Sequence, residues 1–367
     1  MSYRAYAEID LAAISHNVRT IKGQTNAEVL AVVKADAYGH GLVPVAQAAI
    51  SAGATWAGVA LLEEALLLRK AGISVPVIAW LTPPGDDFES ALKHNIDLSI
   101  SSTKLLHEII DAASKVGVTP RVHIEIDTGM RRGGLLDEWD SFLDQLINYQ
   151  DQLSIVGLWT HFARADEPES SFTDMQISEF NKKHEELVAR GINPTIVHLS
   201  NSAATLTRNL AHKNLVRLGI AMYGLSPDIK TLGSNFGLKP AMTLKAKLAL
   251  VKNAPKGSVV GYGGTATLEK DSKLGVVVMG YSDGIPRNAS SHAGVALDGK
   301  RAPLIGRVSM DQFVVDLGAD SHAVSGDYVT VFGEGSYSID EWAEACGTIN
   351  YEIVTRIASR VHRIYRH

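Results

Sequence analysis

The chain has 367 residues, 46% of them hydrophobic, which suits a large core and about two domains. Its net charge of -5 and the absence of any dense basic stretch argue against binding a phosphate backbone, and its longest apolar runs are too short to span a bilayer. With Cys346 as the only cysteine, an internal disulfide and a thiolate metal cluster are both excluded, and no metal site is expected.

The N-terminus, Met1 to Glu8, meets an acidic residue before any apolar h-region, so it does not read as a signal peptide, and a cytoplasmic protein is expected. From Asn26 to about Leu225, apolar strand candidates alternate with helical stretches. They are Glu28 to Val33, Trp56 to Leu61, Val75 to Leu81, Ile96 to Ile100, Arg121 to Ile126, Ser154 to Trp159, Thr195 to Leu199 and Asn214 to Leu218. Glu63 to Gly72 reads as a helix ending on a glycine, and Asp174 to Gly191 as another. Eight strands, each followed by a crossover, fit an α/β (β/α)8 TIM-like barrel. A doubly wound sheet is the alternative, but no G-x-G-x-x-G opens a helix. After about Gly237, short runs such as Val276–Met279, Ala302–Ile305, Phe313–Asp316 and Tyr328–Val331 alternate with Gly and Asp turns, which reads as a mostly β C-terminal domain. The expected division is 1–236 for the barrel, its first strand open to either domain, and 237–367 for the β-domain. Cys346 falls in an apparent helix and reads as core.

A barrel of this kind carries its chemistry at the C-terminal ends of its strands. There the sequence places Lys34 and Tyr38, Asp127 to Arg132, Thr160 and His161, His198 to Ala204, and Arg217 to Gly224. A lysine where a buried strand meets its loop is partly dehydrated. That lowers its pKa and suits an imine-forming amine. From the strand alone, a lysine with its head in water is the commoner reading. Ser202 with the amides of Gly219 and Ile220 forms a candidate anion cradle. Together with Lys34 it suggests a phosphorylated carbonyl cofactor, of which pyridoxal 5'-phosphate is the obvious one.

Eight blocks stand in one order along the chain: Val32 to Gly41, Asp127-Thr128-Gly129-Met130-x-Arg132, His198-x-x-Asn201-Ser202-Ala203-Ala204, Arg217-x-Gly219 to Gly224, Gly261-Tyr262-Gly263, Gly280-Tyr281-x-Asp283-Gly284, Gly306-Arg307-x-x-Met310-Asp311-Gln312 and Asn350-Tyr351-Glu352. In these, over nearly its whole length, the chain resembles the alanine racemases, fold-type III pyridoxal-phosphate enzymes. The resemblance implies interconversion of L- and D-alanine, supply of D-alanine for peptidoglycan, and a homodimer with shared active sites. It implies that Lys34 carries the cofactor and serves as one catalytic base. The other base is Tyr262, supplied by a second subunit, with His161 hydrogen-bonded to it and Arg217 behind. Inverting a stereocentre with two bases on opposite faces is chemically sensible. Arg217 is implied to face the pyridine nitrogen; a guanidinium has no acceptor atom, so the ring nitrogen is expected to stay unprotonated.

The resemblance further assigns Tyr38, Ser202, Gly219, Ile220 and Tyr351 to the phosphate, and Arg132 with the Met310 amide to the substrate carboxylate. Tyr281, with Asp166, Arg287 and Arg307 further out, is assigned to the substrate channel. Trp80 is a candidate neighbour of the cofactor ring. The chain departs from the family at two places. Glu125 stands where many members carry a carbamylated lysine, so no carbamate is expected and Glu125 is the candidate substitute for orienting Arg132. Gly133 replaces a larger apolar residue. The alternatives are a broad-specificity racemase acting on serine or basic amino acids, a decarboxylase of similar architecture, and a single-barrel cofactor carrier.

Overall fold

The computed structural model describes residues 3–228 and 231–367, which form two compact units. One, the barrel unit, comprises Ala13–Ala37 and Leu42–Lys239. The other, the β-unit, comprises the residues up to Ala12, Tyr38–Gly41 and Pro240–His367.

Strand β1 (Ala5–Asp10) belongs to the β-unit. The barrel unit is built on β2 (Glu28–Val32), β3 (Trp56–Val59), β4 (Val77–Ala79), β5 (Asp97–Ile100), β6 (Arg121–Glu125), β7 (Ser154–Trp159), β8 (Ile196–His198) and β9 (Leu215–Leu218). All seven neighbouring pairs in the order β8-β7-β6-β5-β4-β3-β2-β9 are parallel. The ring closes between β8 and β9, where the Arg217 amide donates to Ser200 O (3.1 Å) and the Asn214 side chain accepts from the Val197 amide (2.6 Å). Each of the eight sequence candidates contains one of these strands. Buried on both faces, they read as unbroken apolar runs because helices cover the outside.

The covering helices are set by local chemistry. In Thr103–Val116, Ser102 Oγ accepts from the Leu105 amide (3.2 Å), Leu105, Leu106, Ile109, Ile110 and Ala113 are buried, and Gly117 ends the helix at φ 75°. The helix expected from Asp174 to Gly191 runs Phe172–Ala189. Its N-terminal half is anchored by buried Gln176, which donates to Thr128 Oγ1 and His161 O (both 3.1 Å) and accepts from the Ala163 amide (3.0 Å). Gln176 thereby ties that helix to the strand ends that carry the candidate site.

One feature inside the barrel breaks with the apolar rule. Along β6 the polar residues Arg121, His123 and Glu125 alternate with buried Val122 and Ile124. Alternate residues of a strand share a face, so the polar set lies on the barrel's inner side. Buried Asp97, Ser99, His198 and Arg217 come from neighbouring strands.

The β-unit continues with β10 (Met242–Ala254), β11 (Val259–Val260), β12 (Ala266–Thr267), β13 (Ser272–Val277), β14 (Gly294–Leu297), β15 (Lys300–Pro303), β16 (Phe313–Asp316), β17 (Tyr328–Phe332) and β18 (His362–Arg366). Its sheet runs β15-β14-β17-β10-β1-β18, with β13 also paired to β10 and β16 to β13. Along β10, Met242, Leu244, Ala246 and Leu248 alternate into the core. Cys346 is buried beside the helix Ile339–Ala345. No helix among the described residues is long and apolar enough to cross a membrane.

Candidate active site

Lys34 stands two residues past the end of β2, and the chain then makes a left-handed turn. Ala35, Asp36, Ala37 and Tyr38 have φ of 53°, 52°, 52° and 53°. Each non-glycine residue held this way costs about 1–2 kcal/mol, so the turn must be fixed by its surroundings. Glu64 Oε1 accepts from the Ala35 amide (2.5 Å), while its Oε2 accepts from the amides of Ala60 (3.0 Å) and Leu61 (3.1 Å). Asp36 Oδ1 accepts from the Leu42 amide (2.8 Å). The Lys34 amine has no hydrogen-bond partner among the described residues. Burial, helped by the charges of Arg132 and Arg217, lowers its pKa; Glu64 opposes the shift.

Arg217 is the buried cation of the site. Its Nη1 donates to His198 O (2.7 Å), and its Nη2 donates to Thr160 O (2.8 Å) and Leu199 O (3.0 Å). Nη2 also lies 3.4 Å from His161 Nδ1, and Nη1 lies 3.2 Å from His198 Nδ1. The guanidinium stacks over Trp159 at 5.0 Å. Burial pulls its pKa down to about 9, so it keeps its charge at neutral pH. The Nε–H alone has no acceptor among the described residues. Burial and the charges of Arg217, Arg132 and Lys34 hold His161 well below the usual imidazole range, so His161 is neutral. The positive charge near His161 is thus its neighbours', Arg217 first among them.

Glu125, 8% exposed, meets Arg217 and Arg132 electrostatically, yet burial prevails and raises it to about 7. Its carboxylate has no hydrogen-bond partner among the described residues. A Cβ at Gly133 would stand 3.3 Å from both its oxygens. Glu125 and Gly133 therefore sit against each other. Arg132 is exposed at the end of a loop shaped by Asp127, whose Oδ1 accepts from the amides of Gly129 (2.8 Å) and Arg131 (3.1 Å).

Ser202 follows Asn201, whose side chain caps the helix Ser202–Thr207 by accepting from the Ala204 amide (3.1 Å). Ser202 Oγ accepts from the amides of Gly219 (2.9 Å) and Ala221 (3.3 Å), folding the start of the turn Ile220–Tyr223 onto itself. Trp80, after β4, lies 6.2 Å from Trp159 between ring centroids.

In the β-unit, Tyr38 and Tyr351 are ring neighbours at 6.0 Å. Tyr262 lies between β11 and β12 and is 69% exposed; Met310 is 55% and Tyr281 39% exposed. Ser282 pins the Met310 carbonyl, which accepts from Ser282 Oγ (2.7 Å) and its amide (3.0 Å). Asp166, Arg287 and Arg307 are exposed. The structure thus brings Lys34, Arg132, His161 and Arg217 together in the barrel unit, which also carries Ser202, Gly219 and Ile220; the β-unit carries Tyr38 beside Tyr351, and Tyr262, Tyr281 and Met310.

Sequence reading did not single out Glu64, Trp159, Asp97 or His123. Asp97 does stand out as a lone acid in a strand of apolar residues, and the alternation 121-123-125 marks a polar inner face; both signals were available.

The family model for the alanine racemase N-terminal domain matches residues 9–227, and that for the alanine racemase C-terminal domain matches residues 241–365. The chain is 47% identical to an alanine racemase of Salinispora tropica, over 99% of this chain and 98% of that one. Among solved structures it is similar to the alanine racemase from D-cycloserine-producing Streptomyces lavendulae (TM-score 0.98, 43% identity, 100% and 98% of the two chains). It is also similar to that from Bacillus anthracis with bound L-Ala-P (TM-score 0.90, 39% identity, 100% and 96%).

Proposed function

The chain belongs to the alanine racemase family, and from that premise we propose that it interconverts L- and D-alanine with pyridoxal 5'-phosphate by a two-base mechanism. The observation that carries this reading is Lys34. Its amine is unpartnered among the described residues, dehydrated, and flanked by the cations Arg132 and Arg217, all of which favour the neutral amine that carbonyl chemistry and proton removal require.

The residues present fit the cofactor. Arg217 has three of its donors' directions fixed by backbone carbonyls and keeps the Nε–H for a ring nitrogen. Ser202 with the Gly219 and Ile220 amides would hold the phosphate, as would the Tyr38 and Tyr351 hydroxyls. When bound, the cofactor supplies an electron sink for the pair left at Cα after its proton departs. Because Arg217 has no acceptor atom and stays charged, it would hold the ring nitrogen without a proton and temper that sink.

The proton work falls to the protein. Lys34 Nζ, once free, removes or returns the Cα proton on one face. Tyr262 does so on the other. An ordinary phenol titrates near ~10 and is a weak base at neutral pH. His161 answers this: its Nδ1 faces the Arg217 donor, so its proton sits on Nε2 and can be given to a phenolate oxygen. Arg132 and the Met310 amide would take the substrate carboxylate, with Tyr281 narrowing the channel. The exposure of Tyr262, Met310 and Tyr281 supports a homodimer in which each copy completes the other's site. A cytoplasmic role supplying D-alanine for peptidoglycan follows as the biological reading.

The test is a racemisation assay with added cofactor across the enantiomers of alanine, serine, lysine and arginine. Turnover confined to alanine supports the proposal; comparable turnover of serine or basic amino acids would replace it with a broad-specificity racemase.

A further inference from the structure

Beneath Arg217 a column of polar side chains runs down the barrel interior. His198 Nδ1 lies 3.2 Å from Arg217 Nη1, and His198 Nε2 lies 3.0 Å from His123 Nδ1. His123 Nε2 lies 3.3 Å from Asp97 Oδ2. Asp97 accepts a bidentate pair from Arg121 at 2.8 and 2.9 Å. Asp97, His123 and His198 are each no more than 1% exposed. Trp159 stacks on His198 with 9° between planes, and Trp56 meets His123 edge-on.

The hydrogen positions in this column follow from its two ends. Arg217 can only donate, so His198 Nδ1 must accept and the His198 proton sits on Nε2. His123 Nδ1 must then accept, which puts its proton on Nε2, where it is given to the Asp97 carboxylate. Every link has one donor and one acceptor, and both imidazoles are neutral. Reversing His198 would set an N–H against an Arg217 N–H, and reversing His123 alone would set an N–H against the His198 Nε2–H and a bare nitrogen against the Asp97 carboxylate. Arg121 balances the carboxylate from outside the column.

We propose that Asp97 and His123 are positioning residues for the racemase reaction: the carboxylate fixes the tautomers of two hydrogen-bonded imidazoles so that Arg217 always meets an acceptor, which holds its guanidinium in place. The proposal rests on the role given above to Arg217.

It is tested by ring ¹⁵N NMR of the histidine-labelled holoenzyme at neutral pH, with steady-state kinetics of the same samples. The wild type should show His123 and His198 with protonated Nε2 and bare Nδ1. In Asp97→Leu the His123 donor loses its acceptor. His198 should then show proton density on Nδ1, kcat should fall by about tenfold or more, and KM should change by less than about threefold, with a shift of the cofactor absorption maximum. Asp97→Asn keeps a carbonyl acceptor for His123 and should restore the tautomers and most of kcat. A protonated Nδ1 or a charged ring on His198 in the wild type overturns the proposal whether or not the leucine variant folds; so do unchanged His198 signals in Asp97→Leu. An inactive wild type with the expected tautomers would instead count against the racemase reading and leave the column intact.

Discussion

Gly157 on β7 lies directly against His123 on β6: a Cβ built on the glycine would stand 1.9 Å from the imidazole Nδ1. The neighbouring strand can approach the ring only because this position has no side chain. Gly157→Ala should therefore push His123 out of line with both His198 and Asp97. We expect a loss of about 1–3 kcal/mol of stability by urea unfolding, with a fall in kcat. An alanine variant as stable as the wild type would mean that the ring has room to move.

The left-handed turn after Lys34 should be relieved by glycine at its exposed first position. Ala35→Gly removes a cost of about 1–2 kcal/mol and adds roughly 0.4–1 kcal/mol of unfolded-chain entropy. The variant should unfold at the same or a higher urea concentration than the wild type. A clear loss of stability would show that the turn is not strained at this residue.

Glu125 predicts a pH signature in cofactor-free protein. Its ordinary value is 4.5 and burial raises it to about 7, so the folded state binds the extra proton between those values. The associated stability is fully present below 4.5 and is lost as pH rises through about 7, amounting to roughly 3 kcal/mol at most. Glu125→Gln, neutral at all pH, should match the wild type at pH near ~4 and exceed it at pH near ~8. The same difference between the two proteins at both pH values would contradict the buried-carboxyl account.

Lys34→Ala should lose the visible absorption band of covalently held cofactor and all detectable racemisation. Retention of the band would remove Lys34 as the anchor. The variant should otherwise fold, since the Lys34 amine makes no hydrogen bond among the described residues that folding would miss.

How far the sequence carried depends on the physics of each part. The eight barrel strands were legible because strands such as β2 and β3, buried on both faces, leave a continuous apolar run. The β11–β12 hairpin around Tyr262 was not legible: each strand is two residues long and Val259 is 64% exposed, so no periodicity marks it. The left-handed turn after Lys34 was not legible: nothing in Ala35-Asp36-Ala37-Tyr38 calls for positive φ, and the hydrogen bonds that fix it involve Glu64 and Leu42, residues outside the motif. Asp97, His123 and His198 lie 26 and 75 residues apart, and only the barrel's register brings them into hydrogen-bond reach. The candidate site's rim was therefore readable from strand ends, while what lies under it needed the fold.

The central claim, that Lys34 and Tyr262 act across one site made by two copies of the chain, is tested most directly by mixing subunits. Lys34→Ala and Tyr262→Phe, each inactive alone, are refolded together and exchange is verified by native mass spectrometry. A shared site predicts that half the dimers are mixed and that each mixed dimer regains one intact site, so activity returns to about a quarter of the wild-type value. Complete inactivity despite verified exchange would contradict the account.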